Sequence, residues 1–259
     1  MPERVLKLYP PPALEIVAEE IYQHLDIPSV GVPDRPYVMI NMVSSVDGKA
    51  TADGRAFRLG SEVDRRTMRN LRARADAVMI GAATLRAEKL SLGLDETASS
   101  PQPLAVIITN TGDVPLESNL IKPERQRVLV LVPRDLPQKA VSRLRCQAGG
   151  VIRVASTPGG PVDLEAALRI LKAEHRVNLL LVEGGPTLNH ALISRHLADE
   201  LFLTLAPKLL GGTTGAAITI LDGHPLPPQT QRLELLSLHS ASDELFLRYG
   251  LQPRRTDTA

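Results

Sequence analysis

Short apolar runs alternate with amphipathic stretches along most of this chain, and that alternation predicts its fold class before any motif is considered. Tyr37 to Val43, Ala77 to Ile80, Leu104 to Thr109, Val128 to Val132, Val151 to Val154, Asn178 to Val182 and Glu200 to Leu205 are brief and apolar, the pattern of buried strands. Between them, helical spacing marks Glu62 to Arg74, Pro137 to Gln147 with a proline at its start, and residues 187–195. Asp163 precedes an Ala/Leu-rich periodic stretch and predicts a capped helix running to about Glu174. Residues 231–238 and 243–250 alternate polar and apolar positions and predict a closing antiparallel pair. Strands alternating with helices imply an α/β protein: a mixed, mostly parallel sheet with helices on both faces and a C-terminal antiparallel hairpin.

Residues 1–36 stand outside this alternation. Pro10-Pro11-Pro12 leads into a 3.6-residue pattern over Ala13 to Leu25, with Leu14, Val17, Ala18 and Ile21 on one side. We expect a helical extension and linker over 1–36, a main domain over 37–252 and a tail over 253–259.

Composition narrows the function classes. Of 259 residues, 43% are hydrophobic but only 3% aromatic, with no Trp, so the core must be Leu, Val, Ile and Ala. A net charge of +1, without aromatic stacking platforms, argues against nucleic acid and anionic membranes as partners. The lone Cys146 excludes an intrachain disulfide and a cysteine metal cluster, and within a predicted helix it reads as a small apolar filler. No His/Asp/Glu cluster has metal-ligand spacing, so no metal is expected. The absence of an 18-residue apolar run or a basic-apolar leader predicts a cytosolic protein.

The segment Val182-Glu183-Gly184-Gly185-Pro186-Thr187-Leu188-Asn189 reads as strand, glycine turn and helix start. Adjacent glycines leave backbone bare to a ligand, Pro186 suits the first helical turn, and the free N–H groups behind it favour a phosphate. Gly81 to Thr84, Thr109 to Thr111 and Glu183 to Gly185 all fall at carboxyl ends of predicted strands, where open α/β sheets bind ligands. Upstream, Asn41 to Thr51 runs a buried strand into Ser44, Ser45 and an Asp47-Gly48 turn followed by Lys49, either a plain turn or a site. Five arginines crowd Arg65 to Arg74; Arg65, Arg69 and Arg72 share a helix side, a solvated face with room for one inward side chain that holds an anion. Thr84 opens a short helical stretch, Ala83 to Lys89, as a cap or as a cofactor ligand.

Together, Asp47-Gly48-Lys49, Leu71-Arg72-Ala73, Asp76 to Thr84, Glu183 to Leu188 and Ala206-Pro207-Lys208-Leu209-Leu210-Gly211-Gly212 resemble the pyrimidine reductase of riboflavin biosynthesis over roughly residues 36–250. That family also forms the C-terminal half of a bifunctional deaminase-reductase. The resemblance implies a dihydrofolate-reductase-like fold, a homodimer, and NADPH-dependent reduction of the ribosyl group of a ribosylaminopyrimidine 5′-phosphate to ribityl. It implies Thr84, Glu88, Asn110, Gly184, Gly185, Pro186, Thr187 and Leu188 as cofactor ligands, and Asn41, Ser44, Arg72 and Glu183 on the substrate side. Asp47 and Glu183 are its candidate catalytic residues.

The chain departs from that family where an Asp-Asp-Pro stretch, then Leu-Thr and often an Arg, usually follow the threonine turn. Here Glu88-Lys89-Leu90-Ser91-Leu92-Gly93-Leu94 stands in its place, leaving Lys89 or Arg86 as the candidate phosphate ligand. Asn41 matches archaeal stand-alone enzymes, whereas bacterial bifunctional ones often carry Lys. Both the diamino and the deaminated pyrimidine remain possible substrates. A related NADPH reductase of a pterin, folate or other small heterocycle is the alternative reading, and a non-enzymatic nucleotide-binding regulator the second.

Overall fold

The computed structural model describes residues 4–27, 32–51, 55–56, 59–88, 91–95, 100–115, 126–146, 148–156, 159–212, 218–227 and 232–251. Lys89, Leu90, Gln147, Gln231 and the tail 253–259 lie outside the described residues. The chain folds as two compact units, residues 1–25, 38–68 and 186–259 in the first and 26–37 and 69–185 in the second.

The second unit is a parallel sheet. Its strands are β4 (Ala77–Gly81), β5 (Leu104–Ile108), β6 (Val128–Pro133), β7 (Gly150–Val154) and β8 (Leu179–Val182), in the order β8-β4-β5-β6-β7. Every residue of β6 is buried, as a strand covered on both faces requires. The helices α2 (Ala82–Glu88), α3 (Gln138–Arg145) and α4 (Leu164–His175) belong to this unit. Asp163 caps α4, its carboxylate accepting the N–H groups of Glu165 at 3.0 Å and Ala166 at 3.2 Å. At the other end Asp76 receives the N–H groups of Asn178 (2.7 Å) and Leu179 (2.9 Å), which sets β8 beside β4.

The first unit is mainly antiparallel. Its strands are β1 (Arg4–Tyr9), β2 (Leu14–Val17), β3 (Tyr37–Ser45), β9 (Glu200–Ala206), β10 (Leu233–Ala241) and β11 (Glu244–Leu251), in the order β2-β1-β10-β11-β9-β3, with only β3 and β9 parallel. Helix α5 (Pro186–Ser194) belongs here, and α1 (Glu62–Arg74) carries residues of both units. Phe202, Phe246, Ile21, Met39 and Ile40 are fully buried. Among the described residues no helix is long and apolar enough to cross a membrane.

The α/β class, the parallel strands and the closing hairpin form as expected, and the helix read over Ala13 to Leu25 does not. That stretch holds β2 and a single 3-10 turn, Ala18–Glu20. Preceding residues form β1, which pairs with β10, so the segment is a sheet edge and not an appendage. Only part of the apolar set is buried: Ala18 and Ile21 are 1% and 0% exposed, Leu14 and Val17 48% and 38%. Pairing of β2 with β1, which in turn pairs with β10, outweighed a weak helical period containing Ile16, Val17 and Ile21. Cys146 also differs from expectation: it is an exposed free thiol at the end of α3, since the apolar face of that helix is Val141 and Leu144.

Candidate active site

In the second unit the glycine turn is laced to the end of β4. The N–H of Glu183 donates to the Met79 carbonyl at 3.0 Å, and the N–H of Gly81 donates to the Gly184 carbonyl at 2.9 Å. Gly184 takes φ +85°, a left-handed conformation that suits glycine, and the Gly184–Gly185 peptide is cis. Thr84, half-buried on α2, presses on this turn: a Cβ at Gly185 would lie 2.3 Å from its hydroxyl. Thr84 and the buried Gly184 and Gly185, far apart in sequence, therefore form one closely packed patch. Glu88, four residues beyond Thr84, lies on the same side of α2 and ends it.

Directly before that patch sits a buried ion pair. Arg72 donates from Nε to Glu183 Oε1 and from one terminal nitrogen to Oε2, both at 2.7 Å, a two-pronged geometry. The two side chains are 4% and 7% exposed. The third guanidinium nitrogen donates to the Gly93 carbonyl at 3.0 Å. Arg72 is thus the one inward arginine of the α1 run, and the anion it holds is internal. Arg65 pairs with Glu62, Arg66 with Glu19 and Arg69 with Asp95 nearer the surface. Arg86, a candidate phosphate ligand, contacts the carboxylate of Asp113 at 3.2 Å.

At the end of β5, Thr109 accepts the N–H groups of Thr111 (3.3 Å) and Gly112 (3.1 Å) and closes a tight turn. The exposed Asn110 takes the N–H of Val162 on its side-chain oxygen at 3.0 Å, leaving its amide N–H groups as the outward donors.

The first unit holds the other motifs. Helix α5 starts at Pro186, with Thr187 exposed and Leu188 9% exposed. The Thr187 hydroxyl donates to Asp222 at 3.3 Å, and the fully buried Asn189 donates to the Ile220 carbonyl at 3.1 Å. Asp47 lies in the turn after β3 and is exposed. Its Oδ1 accepts from the Ser45 hydroxyl at 2.6 Å and the Leu210 N–H at 3.1 Å, and its Oδ2 accepts the Gly211 N–H at 2.7 Å. The Ser45 hydroxyl first, then the backbone donors, hold the Asp47 carboxyl down at about 2. Gly48, at φ +80°, lets this turn close. Asp47-Gly48-Lys49 and Ala206 to Gly212, far apart in sequence, are therefore one hydrogen-bonded structure. Ser44 is 4% exposed and donates to the Ser45 carbonyl at 2.7 Å; Asn41 is half-buried on β3, in register with Phe202 of β9. Sequence reasoning missed Ser45 as the main partner of Asp47, and it missed Gly93; a serine before Asp-Gly carries a faint signal, a lone loop glycine none.

A parallel α/β sheet with a glycine turn and a buried carboxylate at its strand ends, joined in sequence to an antiparallel set, is the dihydrofolate-reductase-like reductase fold. The pyrimidine reductase-like protein of Corynebacterium diphtheriae has it: TM-score 0.77 over 92% of this chain and all of that one, at 22% identity. The chain belongs to the RibD C-terminal domain family, which matches residues 36–246. It is 34% identical over 201 residues to the 2,5-diamino-6-ribosylamino-4(3H)-pyrimidinone 5′-phosphate reductase of Archaeoglobus fulgidus, covering 73% of this chain and 87% of that one. The enzyme of the same name from Methanothermobacter thermautotrophicus is 31% identical over 223 residues, 84% of this chain and 99% of that one.

Proposed function

We propose that this chain reduces the ribosyl group of 2,5-diamino-6-ribosylamino-4(3H)-pyrimidinone 5′-phosphate to ribityl, with NADPH as reductant, in riboflavin biosynthesis. The observation that carries the reading is the buried Glu183 carboxylate, clamped by Arg72 and followed at once by bare glycine backbone. A fixed anion for substrate N–H and O–H groups thus adjoins a backbone stripped for a cofactor. The names of the two archaeal relatives favour the diamino pyrimidine over its deaminated form.

The cradle fits a nicotinamide dinucleotide. Gly185 admits no side chain against Thr84, and the first-turn N–H groups of α5, lacking intrahelical partners, suit a phosphate. When bound, NADPH would supply the hydride that reduces C1′ of the opened sugar imine, the exocyclic nitrogen taking its proton from solvent, with the ribitylamine and NADP⁺ as products. Thr84, Glu88, Asn110, Gly184 and Gly185 of the second unit, and Pro186, Thr187 and Leu188 of the first, are assigned to the dinucleotide. Glu183 orients the pyrimidine: each of its oxygens keeps a lone pair after the contact with Arg72. Asn41 and Ser44 are assigned to substrate. Asp47 has both oxygens engaged by its own turn, so we give it a positioning role, holding Leu210 and Gly211. Orientation by these groups supplies much of the rate, and no protein nucleophile is needed.

The enzyme works as a homodimer in the cytoplasm on this reading. An exposed free thiol at Cys146 suits a reducing compartment. For the dimer the support is the leucine-rich sheet face of the first unit, where Leu247 opposes both Leu203 and Leu238.

The deciding assay is oxidation of NADPH, and of NADH in parallel, with the diamino pyrimidine, its deaminated form and a dihydropterin. We expect turnover with NADPH and preference for the diamino compound. Turnover of the dihydropterin alone, or of none of the three, overturns the proposal.

A further inference from the structure

The stretch that departs from the family pattern is built into the support of Glu183. Leu92 is 0% exposed and anchors residues 91–95, which form no helix or strand. Two glutamine side chains hold the backbone around it. Gln126, 7% exposed just before β6, donates from its amide nitrogen to the Pro103 carbonyl at 2.7 Å and the Leu92 carbonyl at 3.3 Å. Gln102 accepts the Leu94 N–H at 2.7 Å and donates to the Leu94 carbonyl at 3.1 Å. Between these clamps lies Gly93, where a Cβ would meet the Gln102 oxygen at 2.7 Å and the Gln126 oxygen at 3.3 Å. A side chain at Gly93 would crowd both glutamines, and the Gly93 carbonyl is the one that Arg72 contacts at 3.0 Å.

A guanidinium is a rigid planar fork, so three fixed nitrogens leave it no freedom to turn. Two of those of Arg72 bind Glu183, and only the Gly93 contact comes from outside that pair. We propose that Gln126 is a positioning residue for Glu183: by fixing Leu92 and Gly93 it sets the angle of the Arg72 guanidinium, and through it the place of the carboxylate. Arg72 then serves Glu183 and not the substrate phosphate. The inference rests on the substrate role of Glu183 proposed above, and the two fail separately in the experiment below.

The test uses Gln126→Met, which keeps length and removes both donors, alone and combined with Arg72→Lys. Asp163→Ala is the control, a loss of stability in the same unit from a helix cap. Gln126→Met is expected to lower kcat by about tenfold or more, as sub-ångström misplacement of a reacting group does, with the Kd for NADPH unchanged. In the Arg72→Lys background its further effect should shrink to within about twofold, the scatter of uncoupled changes. A kcat no lower than that of Asp163→Ala at matched Tm, or effects that simply multiply, overturns the inference.

If the wild-type chain turns over no pyrimidine, the proposed function falls and hydrogen exchange at the Arg72 Nε–H decides the positioning role. Exchange speeded in Gln126→Met but not in Asp163→Ala supports it, and equal exchange overturns it. Should Gln126→Met not fold, Gln102→Leu loosens the same loop from its exposed side and is read the same way.

Discussion

At Gly185 a single missing side chain decides how closely Thr84 can pack on the glycine turn. An alanine there would place its Cβ 2.3 Å from the Thr84 hydroxyl, far inside contact distance, so either the turn or α2 must move. Overpacking of this kind costs about 1–3 kcal/mol. We expect Gly185→Ala to lower the thermal midpoint by about 2–10 °C and, by displacing the turn, to weaken the Kd for NADPH by about tenfold, measured by quenching of cofactor fluorescence. Asp47 makes a different demand, on pH. Its carboxyl lies at about 2 in the folded chain, below its ordinary 3.8, so it binds a proton less readily folded than unfolded. The stability it contributes is present above the unfolded value and is lost as pH falls through the folded one. The Leu210 and Gly211 amide resonances should therefore move between about pH 4 and pH 2 in the wild type. In Asp47→Asn they should start displaced at neutral pH. Wild-type resonances that stay put across that window would refute the assignment.

Elements are held together here by groups that no local pattern reveals. β9 and β11 are joined by leucines and also by Glu200 and Arg248, 2% and 9% exposed, in a two-pronged pair of 2.7 and 2.6 Å. The guanidinium also lies 5.7 Å from the centre of the Phe202 ring, which Tyr22 meets edge-on at 4.8 Å. Removing one member of such a pair leaves a buried charge uncompensated. Glu200→Gln is expected to cost about 3–5 kcal/mol in urea unfolding, and Glu200→Leu with Arg248→Met to recover most of it. A cost for the single change within about 0.5 kcal/mol, the range of an ordinary surface substitution, would show the pair to be solvated. Tyr22 sits two residues after the 3-10 turn that follows β2, so the N-terminal segment contributes to this core.

On the scale of the whole molecule, the first unit presents one sheet face made largely of leucine. Directly opposed residues of antiparallel strands share a face, which groups Leu203 with Leu247 and Leu238, and Leu205 with Leu245, Ser240 and Leu6. Leu6 is 49% exposed and the other leucines of the set are half-buried, more apolar surface than an isolated chain keeps without use. A second copy of the chain is the partner we propose. Leu247→Asp should convert the dimer to monomer in sedimentation equilibrium while β11 stays folded. A wild-type monomer at high concentration would dismiss this interface.

Periodicity and turn chemistry were legible from the amino acids alone because they are local. Glu62 to Arg74 forms α1 with those bounds, Asp163 caps α4, and the Glu183-Gly184-Gly185 turn ends β8 as its residues required. The glycines, the first turn of α5 and the order of the motifs carried the family. What depended on distant partners was not. The segment 13–25 gave an edge strand because β1, itself paired with β10, offered it a backbone, and Arg72 turned inward because Glu183, 111 residues later, waited there. Asp47 spends its carboxylate on amides 163 and 164 residues away. Side-chain spacing states which face a residue takes, whereas the partner it meets there is chosen only when the chain closes and buried polar groups must all be satisfied.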